Sequence, residues 1–161
     1  MLDKQGALDL LKSHNIPYDL HEHAPIFTVA QGDAMGDAFH DSSTKNLFLR
    51  DKKKREYYLV TLPCHKPIDL EVLKNNIPSR RLSFCSEAEL ESMLGVKSGS
   101  VNPLCIFNDI DKKVVMVFDQ SMAGQKIGIH PMSNDATIIV KFEDILSLIQ
   151  ASDHTVILRN M

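Results

Sequence analysis

The chain has 161 residues, 43% of them hydrophobic and 24% charged. That is the balance of an ordinary globular protein of about one domain, long enough to build a core without disulfide or metal staples. Eighteen Lys and Arg against 21 Asp and Glu give a net charge of −3, which excludes a protein basic throughout that coats nucleic acid by charge alone. No apolar run approaches the roughly 20 residues of a bilayer span, and Met1-Leu2-Asp3-Lys4-Gln5-Gly6 lacks a signal-peptide layout. Cys64, Cys85 and Cys105 are odd in number and show no CxxC spacing. They argue against a disulfide framework and for a reduced, cytoplasmic protein.

Asp3 is placed to cap a first helix to about His14, with Leu8, Leu10 and Leu11 on its core stripe. Tyr18 to His23 alternates and predicts a strand. Thr28 to about Phe39 predicts a helix weakened by Gly32 and Gly36. Thr44–Arg50 and Glu56–Thr61 predict a hairpin around the charged turn Asp51-Lys52-Lys53-Lys54-Arg55. Asp69 caps a short helix to about Asn75, and Ser86 with Glu89 forms a capping box before a helix closed by Gly95. Strands are expected at Leu104–Phe107, Lys113–Phe118, Lys126–His130, Thr137–Lys141 and Thr155–Leu158, with a helix from Glu143 to Ala151. The order implies a mixed α/β or α+β sheet protein, not a regular βαβ series.

Three features could carry chemistry. Lys45 lies on the strand face of Leu47 and Leu49. It either snorkels out at the strand end or reaches into a cleft as a fixed cation for a phosphate, a carboxylate or an oxyanion. In Gly99-Ser100-Val101-Asn102-Pro103, Gly99 admits positive φ and Pro103 constrains Asn102. Such a loop either simply connects two elements or aims backbone dipoles into a cleft. His130, just before Pro131, is a turn histidine or a group that positions substrate near neutral pH. His21 and His23 share a strand face, but no second paired spacing supports a zinc site, so none is expected. Basic residues cluster at Lys52–Arg55, Lys66, Lys74, Arg80-Arg81 and Lys97, which suits gripping one end of a polyanion.

The blocks His23-Ala24-Pro25-Ile26-Phe27-Thr28-Val29, Lys45-Asn46-Leu47-Phe48-Leu49-Arg50-Asp51, Gly99-Ser100-Val101-Asn102-Pro103 and His130-Pro131, with Asn134 and Thr137, follow in this order. Together they resemble the YbaK-like aminoacyl-tRNA deacylases, a family that also supplies the editing domain of bacterial prolyl-tRNA synthetases. The His-Pro-x-x-Asn stretch is most similar to the free-standing branch that clears alanine from proline tRNA. The resemblance covers nearly the whole chain and implies a compact single-domain mixed α/β fold, residues 1–161, around a partly barrel-like sheet. It implies one cleft, no metal or other cofactor, and hydrolysis of the ester at the 3′ acceptor end of mischarged proline tRNA. Prolyl-tRNA synthetase is an implied partner, and no membrane association is expected.

By that resemblance Lys45 holds the terminal adenosine and its phosphate, with Asn46 as a neighbour. The backbone of Gly99, Ser100, Val101 and Pro103 holds the ester and the attacking water, and His130 fixes the amino-acid end. Ile26, Phe27, Thr28 and Val29 are expected to line the acyl site, and from their position, not from the resemblance, Ile26, Phe27, Val29 and Met35 are candidates for the apolar wall that excludes proline by size. Ser98 stands where a proline is expected before Gly99, and Gly32-Asp33-Ala34 replaces a more acidic run.

Overall fold

The computed structural model describes residues 1–25, 42–77 and 79–161. The helix expected from Thr28 to Phe39 and the four residues Ile26, Phe27, Thr28 and Val29 lie outside the described residues, as does Met35.

The chain begins with α1, Lys4–Ser13, capped by the Asp3 carboxylate on the Gly6 N–H at 2.8 Å. Ala7, Leu8 and Leu11 turn inward at helical spacing. The strands β1 (Tyr18–Glu22), β2 (Thr44–Asp51) and β3 (Tyr57–Pro63) follow. β2 and β3 form the expected antiparallel hairpin, with Lys45 opposite Leu62 and Arg50 opposite Tyr57. Asp51 shapes its turn by accepting from the N–H groups of Arg55 at 2.6 Å and Glu56 at 2.9 Å. Asp69 caps α2 (Leu70–Asn76), and β4 (Leu82–Phe84) follows. β4 carries no sequence signal because it is a three-residue edge strand, paired only with the end of β2.

Ser86 and Glu89 complete the capping box of α3 (Glu87–Glu89), which widens into a π-turn over Leu90–Leu94. Gly95 ends it at φ 69°, a left-handed conformation that favours glycine. Leu104–Phe107, expected as a strand, is instead part of a 3-10 helix, Pro103–Asn108. Pro103 fixes φ at the first helical position and Asn102 caps the Leu104 N–H, while Leu104, Cys105 and Ile106 are all buried. A short run buried on every side has no period to separate helix from strand. Next come β5 (Val114–Asp119), a 3-10 turn at Gln120–Met122, β6 (Lys126–Ile129) and β7 (Ala136–Lys141). The chain closes with α4 (Phe142–Gln150) and β8 (Val156–Arg159).

These strands make two sheets, in the orders β1-β7-β6 and β4-β2-β3-β5-β8. β3, β5 and β8 run parallel, while β2 is antiparallel to β3 and β4. The larger sheet is covered on both faces, which explains its near-continuous apolar runs. Phe48, Leu59, Met116 and Phe118 point into one cluster, where Phe118 meets Phe142 edge-on at 5.2 Å. Leu47, Leu49, Val60, Leu62 and Val117 point into the other, under Leu73 of α2. A parallel bridge between Ser43 and Gly128 stitches β2 to β6. The Thr44 hydroxyl reinforces it on the Gly128 carbonyl at 2.7 Å. A side chain at 128 would press on the Ile139 and Thr137 side chains of β7, at 3.3 and 3.4 Å. The result is the mixed α/β architecture expected, with the strands divided between two sheets in place of one central, partly barrel-like sheet.

Candidate active site

The Ser43–Gly128 bridge decides the geometry. Because it is parallel, the chains run on together past it, so Lys45 and His130 each lie two residues beyond a bridged partner. His130 in turn donates from Nδ1 to the Gly99 carbonyl at 3.2 Å. The carbonyl can only accept, so Nδ1 carries the hydrogen and Nε2 presents a lone pair. Gly99 sits at φ 92°, a conformation that L side chains rarely adopt. Ser100 follows with its N–H on the Lys97 carbonyl at 3.1 Å, Val101 packs against the core, and Pro103 is buried at the start of the 3-10 helix.

Lys45 is half-buried, and its ammonium donates to the backbone carbonyl of Lys66. It makes no hydrogen bond to the Gly99–Pro103 loop; strand register, not contact, brings the two toward one end of the fold. The carbonyl it uses belongs to a loop that is itself anchored, because Lys66 Nζ pairs with the fully buried Asp119 carboxylate at 2.6 Å. Asn46 alternates to the opposite face of β2, where its side-chain oxygen accepts from the Thr61 hydroxyl. Two groups that sequence reasoning did not single out therefore support the site, Lys66 and Asp119. The Lys66 signal was present only as one member of a scattered basic set.

His23 donates from Nδ1 to the Ala24 carbonyl and accepts at Nε2 from the Thr137 hydroxyl, both at 2.7 Å. Its ring meets that of His130 edge-on at 6.2 Å. Among the described residues no group of three or more His, Cys, Asp or Glu is arranged to hold a metal. Among the described residues, the Lys52–Arg55 cluster lies apart from Lys45. Lys54 and Arg55 line a cavity of about 580 Å³ with Tyr57, Met93 and Lys113, at the far end of β2 from Lys45 and roughly 20 Å away by strand rise.

Burial pushes the His130 pKa below its usual 6.5, and the neighbouring His23 pushes the same way, outweighing the upward pull of the Gly99 carbonyl. The folded ring thus binds its proton less readily than the unfolded one. The unfolded state carries more protons as pH falls below 6.5, so this contribution to stability is present above that value and shrinks on acidification. The ring protons of His130 should titrate in NMR with a midpoint below 6.5, and His130→Gln should remove that part of the acid-side stability loss. A midpoint at or above 6.5 would contradict the downward shift.

Residues 23–148 match the family described as the aminoacyl-tRNA editing domain. The chain belongs to that family. It is 36% identical over 153 residues to the prolyl-tRNA editing protein ProX of Acetoanaerobium sticklandii, covering 94% of this chain and 93% of the relative. It is also 34% identical to prolyl-tRNA synthetase associated domain-containing protein 1 of Danio rerio, over 91% of this chain and 81% of that one. Among solved structures, one described as a candidate trans-editing enzyme for prolyl tRNA synthetase superposes with a TM-score of 0.69. It shares 16% identity over 98% of this chain and 94% of its own, and the likeness shows the fold. As a member of the aminoacyl-tRNA editing family the chain is a deacylase, an ester hydrolase that acts on aminoacyl-tRNA. No described helix of this editing-domain protein is long and apolar enough to cross a membrane.

Proposed function

We propose that this editing domain, residues 1–161 acting as one unit in the cytoplasm, removes alanine from mischarged proline tRNA and spares prolyl-tRNA. The observation that carries the reading is the His130–Gly99 hydrogen bond, which couples the His-Pro turn to the glycine–proline loop. A neutral imidazole offers Nε2 as an acceptor, suited to the ammonium of a small aminoacyl group. Lys45 supplies the cation for the phosphate of the terminal nucleotide, and the backbone between Gly99 and Pro103 holds the ester and its water. An aminoacyl ester is already activated, so positioning and oxyanion stabilisation suffice without a side-chain nucleophile.

The need for such an enzyme is a matter of size. A synthetase site shaped for proline cannot firmly reject smaller alanine, because one or two missing carbons are worth about 1–3 kcal/mol. A second site that admits alanine and excludes proline completes the selection. Association with prolyl-tRNA synthetase is supported by the relatives whose names mention that enzyme.

The test is a panel of proline tRNA charged with alanine, cysteine, serine or proline, incubated with the purified chain. Rapid loss of the alanyl ester with prolyl-tRNA intact is the expected result. Preferential loss of the cysteinyl ester would reassign the substrate within the family. Salt-sensitive tRNA binding with no ester cleavage would make the chain a binding module instead.

A further inference from the structure

The glycine–proline loop is held from within by a buried polar side chain. Asn102 is fully buried. Its Oδ1 accepts from the Leu104 N–H at 2.9 Å, and its Nδ2 donates to the Ser100 carbonyl at 3.0 Å. The same Nδ2 lies 3.2 Å from Cys105 Sγ and 3.4 Å from Met132 Sδ. Burial pushes the Cys105 thiol up to about 12, so it keeps its hydrogen, and it sits 3.8 Å from the Ser100 carbonyl as a second, weaker donor. Ser100 therefore turns its carbonyl inward, toward an amide and a thiol.

That orientation fixes the other half of the same peptide plane. The chain has no cis peptide bonds among its described residues, and in a trans peptide the N–H points opposite to the C=O. The Val101 N–H thus points away from the buried sulfur atoms. It has no hydrogen-bond partner among the described residues. Its neighbours differ, because Ser100 N–H donates to Lys97 and Asn102 N–H to Cys105 Sγ at 3.4 Å. Two amides of the loop, those of Gly99 and Val101, have no partner among the described residues, and Asn102 dictates the direction of the second.

A third residue couples this cluster to His130. Met132 has φ 63°, a strained conformation for a long side chain. It is held there by its N–H on the His130 carbonyl at 2.8 Å and by its thioether against Asn102 and Cys105. The His-Pro turn and the glycine–proline loop are thus tied twice, by the His130 ring to Gly99 and by Met132 to Asn102.

We propose that Asn102, backed by Cys105 and Met132, is a positioning residue that presents the Val101 N–H to the oxyanion formed during ester hydrolysis. The inference rests on the deacylase reading above and deepens it. The water oxygen adds to the acyl carbon, and the carbonyl electron pair moves onto oxygen, where the Val101 N–H meets it. The pair then returns, the bond from carbon to the ribose oxygen breaks, and that oxygen takes the proton given up by water.

The decisive experiment replaces Val101 in the full chain by the matching α-hydroxy acid, so that an ester oxygen stands where the N–H was. Single-turnover hydrolysis of alanine-charged proline tRNA is followed at rising enzyme concentration. The saturating rate should fall about 10²–10³-fold, the magnitude of one lost oxyanion donor. The half-saturating concentration should hold, and the thermal midpoint should fall only slightly, because this N–H takes no part in the fold while the Ser100 carbonyl, now that of an ester, accepts more weakly from Asn102. Asn102→Ala, which removes the amide that holds the Ser100 carbonyl, should reproduce the loss of saturating rate with the half-saturating concentration unchanged in protein shown by urea unfolding to be folded. An active wild type with an undiminished rate in the ester variant overturns this inference alone. A wild type inactive on every charged tRNA overturns the deacylase reading beneath it.

Discussion

Lys45→Met should strongly slow deacylation and leave the protein folded. Methionine keeps an unbranched apolar stem on the face of Leu47 and Leu49 but strips the charge. The ammonium's hydrogen bond goes to the Lys66 carbonyl, a half-buried backbone group that water can reach. Stability should therefore fall by only about 1 kcal/mol, the typical net value of a hydrogen bond. The rate should fall about 10²–10³-fold, as for loss of a charge aimed at a phosphate or a developing oxyanion. Lys45→Arg should not restore it, because a flat guanidinium fork cannot occupy the place of a compact ammonium. Single-turnover hydrolysis and urea unfolding measure the two effects separately. Full turnover in Lys45→Met would remove this residue from the site, and collapse of the fold would make its role structural.

The largest effect on stability is expected at Lys66. Its ammonium is about one-third exposed, but the Asp119 carboxylate it holds is fully buried. Lys66→Met leaves that carboxylate with the Ser121 N–H at 3.2 Å as its other hydrogen bond. Removing one partner of such a pair costs about 3 kcal/mol, because the remaining charge cannot return to water. Adding Asp119→Asn in the same chain should recover most of the loss, since a neutral amide is far cheaper to bury. The two single variants and the double variant, unfolded in urea, form the cycle that isolates the coupling. The Lys66 loop also carries the acceptor for Lys45, so hydrolysis should slow in Lys66→Met even where the protein is fully folded. A change below about 1 kcal/mol would mean that solvent reaches Asp119.

Most elements were legible because their signals span only a few residues. Asp3, Asp69 and Ser86 each satisfy N–H groups two or three positions ahead. The β2–β3 hairpin follows from two apolar runs around one charged turn. The 3-10 helix at Pro103–Asn108 was misread for the complementary reason: its residues are buried all round, so their pattern carries no direction. Within the site, Gly99, Pro103 and His130 announce themselves by residue type. Asn102 did not stand out, because an asparagine before proline reads as loop chemistry until the sulfur atoms of Cys105 and Met132 are seen around it.

Residue order alone established the caps, the hairpin, the alternation that sets Lys45 among leucines, and membership of an editing family through four spaced blocks. All of these depend on neighbours along the chain or on residue identity. Tertiary structure decided which distant pieces come together. Thr44 and Gly128 lie 84 positions apart, and nothing local specifies that they touch. Their pairing depends on burial of both faces of the larger sheet and on a register that carries Lys45 and His130 onward together. The same holds for the direction of the Val101 amide, set by a side chain whose own partners come from Met132, 30 positions away.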